Sequence, residues 1–225
     1  MFPYIHNLLK TDLFNGLSAC DLERLIDFDS CILGKYTKNT LIIQEFDNCK
    51  SIGFILEGSL SAQQLSPTGD SITLKVLKQG DSFGEGLLFA SESHYLFNLM
   101  TTSSTVILYI PFDQIKKLLK ESFDFSANYI AFLSDRLLLF KNKIQILSHK
   151  DVRARLIIYL ANECKRINSL SFKLAHTKTE IADLIGVARP SVSRELYRMQ
   201  QDQLIKLDRK EIIILKPELI DPNPI

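Results

Sequence analysis

Arg189, Pro190, Ser191, Ser193 and Arg194 crowd into one short stretch near the C-terminal end of the 225-residue chain. Their types suit contact with a DNA duplex better than bond-making. An arginine fork bonds guanine O6 and N7 together, and serine hydroxyls suit phosphate oxygens. Pro190 offers no side-chain hydrogen bond, so discrimination at the base pair beside that met by Arg189 is expected to be weak. Lys178 and Thr179 lie upstream and Arg209 downstream, in the basic tip Asp208-Arg209-Lys210. Each can add a backbone contact.

Such contacts need a rigid element. Thr177-Lys178-Thr179-Glu180 has the form of a capping box, in which the Thr177 hydroxyl accepts from the Glu180 amide and the Glu180 carboxylate reaches back. Ile181, Leu184 and Ile185 give the helix that follows an apolar face. Gly186 permits a tight turn, and a second helix starts at Ala188-Arg189-Pro190, where proline is tolerated because first-turn amides have no intrahelical partner. Along it Val192, Leu196 and Met199 point inward; Arg189, Pro190, Ser193, Arg194 and Tyr197 point out. Glu195 is rotated roughly 140° from Pro190 at 100° per residue and does not take over its place. A short helix, a glycine turn and a second helix with arginine near its exposed N-terminus is a helix-turn-helix layout. LIKLDRKEIIIL at 204–215 reads as the β-hairpin of a wing.

Eight of the nine glycines fall in the first 86 residues. TLIIQEF at 40–46, SIGFILEGSLSAQQL at 51–65, DSITLKVL at 70–77 and STVILYI at 104–110 read as short strands. Turn chemistry separates them, as at Pro67-Thr68-Gly69-Asp70 and Gln79-Gly80-Asp81. Many short strands with tight turns imply a small sandwich, roll or barrel. Ahead of them, Ser18 can cap a helix that presents Leu22, Leu25 and Ile26 on one face, with Asp21 near its positive end.

Between the two regions, residues 112–185 contain neither glycine nor proline. Ile130, Leu137 and Ile144 recur every seven residues, and Leu133, Phe140 and Leu147 do so three positions later, with Phe123 extending the pattern backward. That is a heptad seam. Tyr129, Phe132, Leu138, Leu139 and Ile146 supply a second apolar face. Two faces imply that one packs on the β region and the other on a partner helix. Ser148-His149-Lys150-Asp151 interrupts the pattern and reads as a hinge before the helix VRARLIIYLANECKRI. The expected division is a β-roll sensor domain at 1–122, a dimerisation helix at 123–147 and a winged helix-turn-helix at 148–225.

Charge divides in the same place. Residues 1–147 carry 13 Lys+Arg and 16 Asp+Glu, residues 148–225 carry 14 and 10, so an acidic body joins a basic segment. Phosphate contacts need cations. The four cysteines lie far apart, without a C-x-x-C pair, which suggests neither a disulfide framework nor a zinc site. No apolar run has the length of a membrane span, and the first residues lack a signal-peptide layout, so a soluble cytoplasmic protein is expected.

Taken in order, these features resemble the Crp/Fnr family of bacterial transcription regulators. Phe14-Asn15-Gly16-Leu17-Ser18 looks like the family's opening and Gly80-Asp81-Ser82-Phe83-Gly84-Glu85 like its phosphate-cassette turn. Asp151-Val152-x-x-Arg155 looks like the start of its hinge helix, and Thr179-Glu180-Ile181-Ala182 through Arg194 like its DNA-reading unit. The resemblance implies an α+β architecture: an N-terminal double-stranded β-helix of the jelly-roll-like, cyclic nucleotide-binding type, a long dimerisation helix and a C-terminal winged helix-turn-helix. It also implies a homodimer on palindromic double-stranded DNA, no enzymatic activity, and RNA polymerase as a candidate partner.

The effector pocket departs from that pattern. Gly84 and Glu85 are kept, and Arg136 falls where the family has an arginine on the dimer helix. Cyclic-AMP-binding members place an Arg–Ser pair about ten residues after Gly-Glu, and the arginine neutralises the cyclic phosphate. Ungapped counting puts Tyr95 and Leu96 there, and puts Phe140 and Lys141 where small hydroxylated residues meet adenine. An effector other than cyclic AMP is expected. Cys20, Cys31 and Cys49 are too dispersed for an iron–sulfur cluster. Haem held by His6, His94 or a cysteine stays an alternative, as does an interaction module that does not touch DNA. A cupin-type metal oxygenase would need His-x-His with a further Glu and His. The four histidines at 6, 94, 149 and 176 are scattered instead.

Overall fold

A computed structural model describes residues 2–65, 71–208 and 211–220. The expected turn at Pro67–Asp70 and the basic tip at Arg209-Lys210 lie outside the described residues. Two units divide the chain, one reaching to Asp135 and the other starting at Arg136.

The first unit opens with α1 (Ile5–Leu8) and α2 (Ala19–Leu25). The sequence signal for α2 is met in full. Ser18 accepts from the Asp21 amide while the Asp21 carboxylate accepts from the Ser18 amide, and Leu22, Leu25 and Ile26 are buried. Eight strands follow: β1 (Ile32–Tyr36), β2 (Leu41–Ile43), β3 (Ser51–Glu57), β4 (Ser59–Leu65), β5 (Ser71–Lys78), β6 (Ser82–Phe83), β7 (Asn98–Thr101) and β8 (Thr105–Pro111). They form two four-stranded sheets, ordered β1-β8-β3-β6 and β2-β7-β4-β5, with every pairing antiparallel. One apolar core takes Ile52, Phe54, Ile55, Val106 and Leu108 from the first sheet and Leu60, Ala62, Leu77 and Leu99 from the second. This is the jelly-roll-like arrangement the family resemblance implied, within the sandwich, roll or barrel that the strand pattern left open.

The stretch 51–65, read as a single strand segment, is two strands. Gly58 breaks it with φ +83°, and β3 and β4 leave in different sheets. A Cβ on Gly58 would lie 2.2 Å from the Ser104 carbonyl oxygen, so both φ and space demand glycine. Gly58→Ala should lower stability by about 1–3 kcal/mol. Urea denaturation checks it, and an unshifted midpoint would show that the turn relaxes freely. β1 and β7 escaped sequence reading because they are short and mixed in character. β1 exposes Ile32 at a sheet edge and carries Gly34.

Helices cover the first sheet. Phe14 packs on Phe54 and Phe125 with ring centroids 5.2 and 5.3 Å apart. α3 (Phe112–Glu121) and α4 (Phe123–Leu147) are separated by Ser122, whose extended backbone ends one helix while its hydroxyl accepts from the Phe125 amide of the next. On α4, Phe125 and Tyr129 are buried and Phe132 is half-buried in the β-roll core. The second apolar face read from the sequence does not continue as one surface. Leu138 and Leu139 are exposed, and Ile146 joins the core of the second unit. Helical period places these residues on one face but does not decide what packs against each turn.

In the second unit, α4 gives way to α5 (Val152–Ile167), β9 (Ser171–Lys173), α6 (Lys178–Ile185), α7 (Arg189–Gln201), β10 (Ile205–Asp208), β11 (Glu211–Ile214) and α8 (Pro217–Ile220). Asp151 caps α5 by accepting from the Ala154 amide at 3.2 Å. The expected wing hairpin is β10–β11, and β9, a strand the sequence reading missed, pairs with β11 to make a three-stranded sheet. Its three residues offer too little alternation to register as a pattern.

Candidate nucleic-acid interface and effector site

The helix pair α6–α7 is built as its sequence signals require. Thr177 accepts from the Glu180 amide at 3.3 Å, and the Glu180 carboxylate accepts from the Thr177 amide at 2.6 Å. Gly186 takes φ +65° and ends α6. Val192, Leu196 and Met199 are at most 1% exposed and seat α7 on the unit's core. Arg189, Pro190, Arg194 and Tyr197 are exposed on the opposite side, with Ser191 and Ser193 half-buried beside them. The Arg194 guanidinium reaches the Ser191 hydroxyl at 3.5 Å. Lys178 and Thr179 are the first two residues of α6, Lys178 half-buried and Thr179 exposed. The structure therefore brings all the expected contact residues onto this helix pair, apart from Arg209, which lies outside the described residues.

Glu195 turns the other way. It is buried, accepts from Arg153 Nε on α5, and lies 3.5 Å from Arg198. Arg153 also pairs with Asp202 at 2.7 Å. These partners hold the Arg153 guanidinium above its ordinary pKa, chiefly through the hydrogen bond to Glu195. The carboxylate thus fastens α7 to α5 and does not face the side that carries Arg189 and Arg194. Sequence reading missed Arg153 because partners 42 residues apart leave no local pattern.

At the expected effector site, Gly84 takes φ +95° directly after β6. Glu85 is buried, its carboxylate accepting from the Ser82 hydroxyl and its carbonyl from the Tyr129 hydroxyl at 2.7 Å. Tyr95 is 4% exposed. A Cβ built on Gly84 would meet the Ser51 carbonyl oxygen at 2.9 Å, the Tyr95 hydroxyl at 3.0 Å and Cys49 Sγ at 3.1 Å. A side chain at position 84 would therefore collide with the chain itself. The Cys49 thiol donates to the Ser51 and Gly84 carbonyls at 3.4 and 3.6 Å. Burial raises the pKa of the Tyr95 phenol, and its hydrogen bond with Cys49 raises it further. Burial likewise pushes the Cys49 thiol up. Both are neutral near pH 7, so neither side chain offers a positive charge to an anion. Cys49 had no sequence signal.

The remaining pocket residues are placed differently. Leu96 follows Tyr95 but is 64% exposed. Arg136, half-buried, and Phe140, exposed, sit one turn apart on α4 in the second unit. His6 and His94 are both exposed. Among the described residues, no three His, Cys, Asp or Glu side chains gather as a metal site, and no helix is long and apolar enough to cross a membrane.

Comparisons with known proteins match both regions of the chain. Residues 33–122 match the cyclic nucleotide-binding domain family and residues 154–220 the Crp-like helix-turn-helix domain family. The chain is similar to the global nitrogen regulator of Nostoc sp., with 26% identity over 194 residues covering 83% of this chain and 86% of the relative. It is also similar to the cAMP-activated global transcriptional regulator CRP of Pasteurella multocida, with 24% identity covering 82% and 90%. Among solved structures it resembles the Thermus thermophilus catabolite activator protein, at a TM-score of 0.56 and 20% identity over 93% of this chain and 96% of that one. At that identity the likeness speaks for the fold alone.

Proposed function

Because the chain belongs to the Crp/Fnr family of DNA-binding transcription regulators, we propose that it acts as a homodimer on a palindromic operator under an effector other than cyclic AMP. The observation that carries the DNA reading is α7, whose buried Val192, Leu196 and Met199 leave Arg189 and Arg194 together on the exposed face. In this reading Arg189 and Arg194 meet guanine edges, and Ser191, Ser193, Lys178 and Thr179 meet sugar and phosphate. Arg209, which lies outside the described residues, is proposed as a further phosphate contact from its sequence alone.

Support for the dimer comes from the heptad seam. Ile130, Leu137 and Ile144 are 65–69% exposed, and Phe123 is 86% exposed. A regular apolar stripe left in water is the surface a second helix covers. Residues 1–122 then act as sensor, 123–147 as dimerisation helix and 148–225 as DNA-binding domain.

The effector reading rests on Gly84. The Pasteurella relative is named as cAMP-activated. Here the phosphate-binding arginine is replaced by Tyr95, whose neutral hydroxyl packs against the glycine cradle beside Glu85. A cyclic phosphate would meet a phenol, a thiol and a carboxylate. Calorimetry with cyclic AMP should therefore show no binding at micromolar to millimolar ligand. Saturable binding would show that another cation neutralises the phosphate. Selection of bound duplexes from a random pool tests the DNA reading itself, and a pool that yields no enriched sequence would overturn it.

A further inference from the structure

Segment 148–151, which follows α4, is braced on both sides. The Ser148 amide donates to the Ile144 carbonyl at 2.9 Å and the His149 amide to the Ile146 carbonyl at 3.3 Å. Ile146 is buried in the same core as Ile181, Ile185 and Val192 of the helix pair. Leu147 packs on the turn of that pair, for a Cβ on Gly186 would come within 2.8 Å of Leu147 Cδ2. The end of α4 thus packs into the same core as the helix-turn-helix.

Arg155 closes this joint. From α5, its Nε donates to the His149 carbonyl at 2.7 Å, and its Nη1 donates to the Ile185 carbonyl at 2.8 Å and the Gly186 carbonyl at 3.2 Å. The first acceptor belongs to the segment leaving α4. The other two are carbonyls at the C-terminus of α6, which have no partner within their own helix and which the helix dipole makes favourable for a cation. A planar fork with fixed donor directions is suited to hold three carbonyls in one geometry, and a lysine ammonium is not.

We propose that Arg155 is a positioning residue that sets the operator half-site spacing the protein accepts. The inference rests on the dimeric DNA-binding reading above. In a dimer joined through α4, the angle at which α4 meets the helix-turn-helix fixes where each α7 enters the major groove. Each base pair added between half-sites shifts the second site by about 3.4 Å and turns it by roughly 34–36°. A rigid joint cannot follow and forfeits base contacts, whereas a loosened joint can.

The test compares affinities for duplexes whose half-sites are separated by the selected spacing or by one or two base pairs more or less, together with a single half-site. The wild type should lose about tenfold at a shifted spacing, the value of one bidentate base contact at its low end. Arg155→Gln should bring the ratio between spacings close to one while leaving single half-site affinity unchanged. A merely destabilised fold would weaken every duplex alike and keep the ratio. Should Arg155→Gln fail to fold, Arg155→Lys carries the test, with an intermediate ratio expected. A folded variant with the wild-type spacing ratio overturns the proposal. A wild type that binds no paired half-site duplex overturns the DNA-binding reading beneath it.

Discussion

Leu137→Glu combined with Ile144→Glu should yield a monomer by sedimentation and lower affinity for a two-half-site operator by about 10²–10⁴-fold, the advantage a second linked site confers. Both residues are 69% exposed, so neither supports the fold of one chain, and thermal unfolding of the monomer should change little. Their effect falls on association. Two glutamates at seam positions would face their counterparts across a two-stranded coil, where like charges repel and lose the water that solvates them. Single half-site binding should survive, because α7 rests on the core of Ile181, Ile185 and Leu196 within one chain. A wild type that sediments as a monomer at micromolar concentration would overturn the dimer assignment.

The second large effect is expected at the base-reading face. Arg194→Ala should cost about 1–3 kcal/mol per half-site on the preferred sequence and relax discrimination at the base pair it meets. Lys178→Ala should instead weaken all duplexes alike and flatten the salt dependence, because a phosphate contact carries no sequence information. Arg194 is exposed, so its removal opens no cavity and a folding defect cannot imitate the effect. At the pair beside that met by Arg189, selected duplexes should show no fixed base. Pro190 has no donor or acceptor there, and Glu195 is engaged by Arg153 and Arg198. A strictly fixed base at that position would show that the reading of Pro190 is wrong. Equal losses from Arg194→Ala on every duplex would move Arg194 from the bases to the backbone.

The parts legible in the sequence are those whose cause is local. The Ser18 cap and the Thr177–Glu180 box need only residues within one turn, and both helices begin where those signals place them. Gly186 marks the turn because a left-handed residue is costly for other side chains. The inward stripe Val192, Leu196 and Met199 follows from helical period alone, and with it the outward position of Arg189 and Arg194. The heptad of α4 is a matter of spacing too, yet Leu133 packs on the first unit's core and Leu147 on Gly186, which spacing alone did not show.

What only the tertiary structure decided depends on residues far apart in the chain. That Leu138 and Leu139 stay exposed while Ile146 is buried could not be read from helical period, which carries no information on what packs against each turn. The run 51–65 became two strands in two sheets because Gly58 turns between them, and its apolar composition suited one strand equally well. Tyr95 could be counted opposite the missing arginine. That its hydroxyl packs with Cys49 against Gly84 could not be, since these three residues meet only when the segments carrying positions 49, 84 and 95 are folded together. Arg155 was visible as a motif residue. Its role as a clamp exists only because folding sets the carbonyls of His149, Ile185 and Gly186 around a single guanidinium. Local rules act through bonds and helical period, which the chain order records; packing acts through space, which it does not.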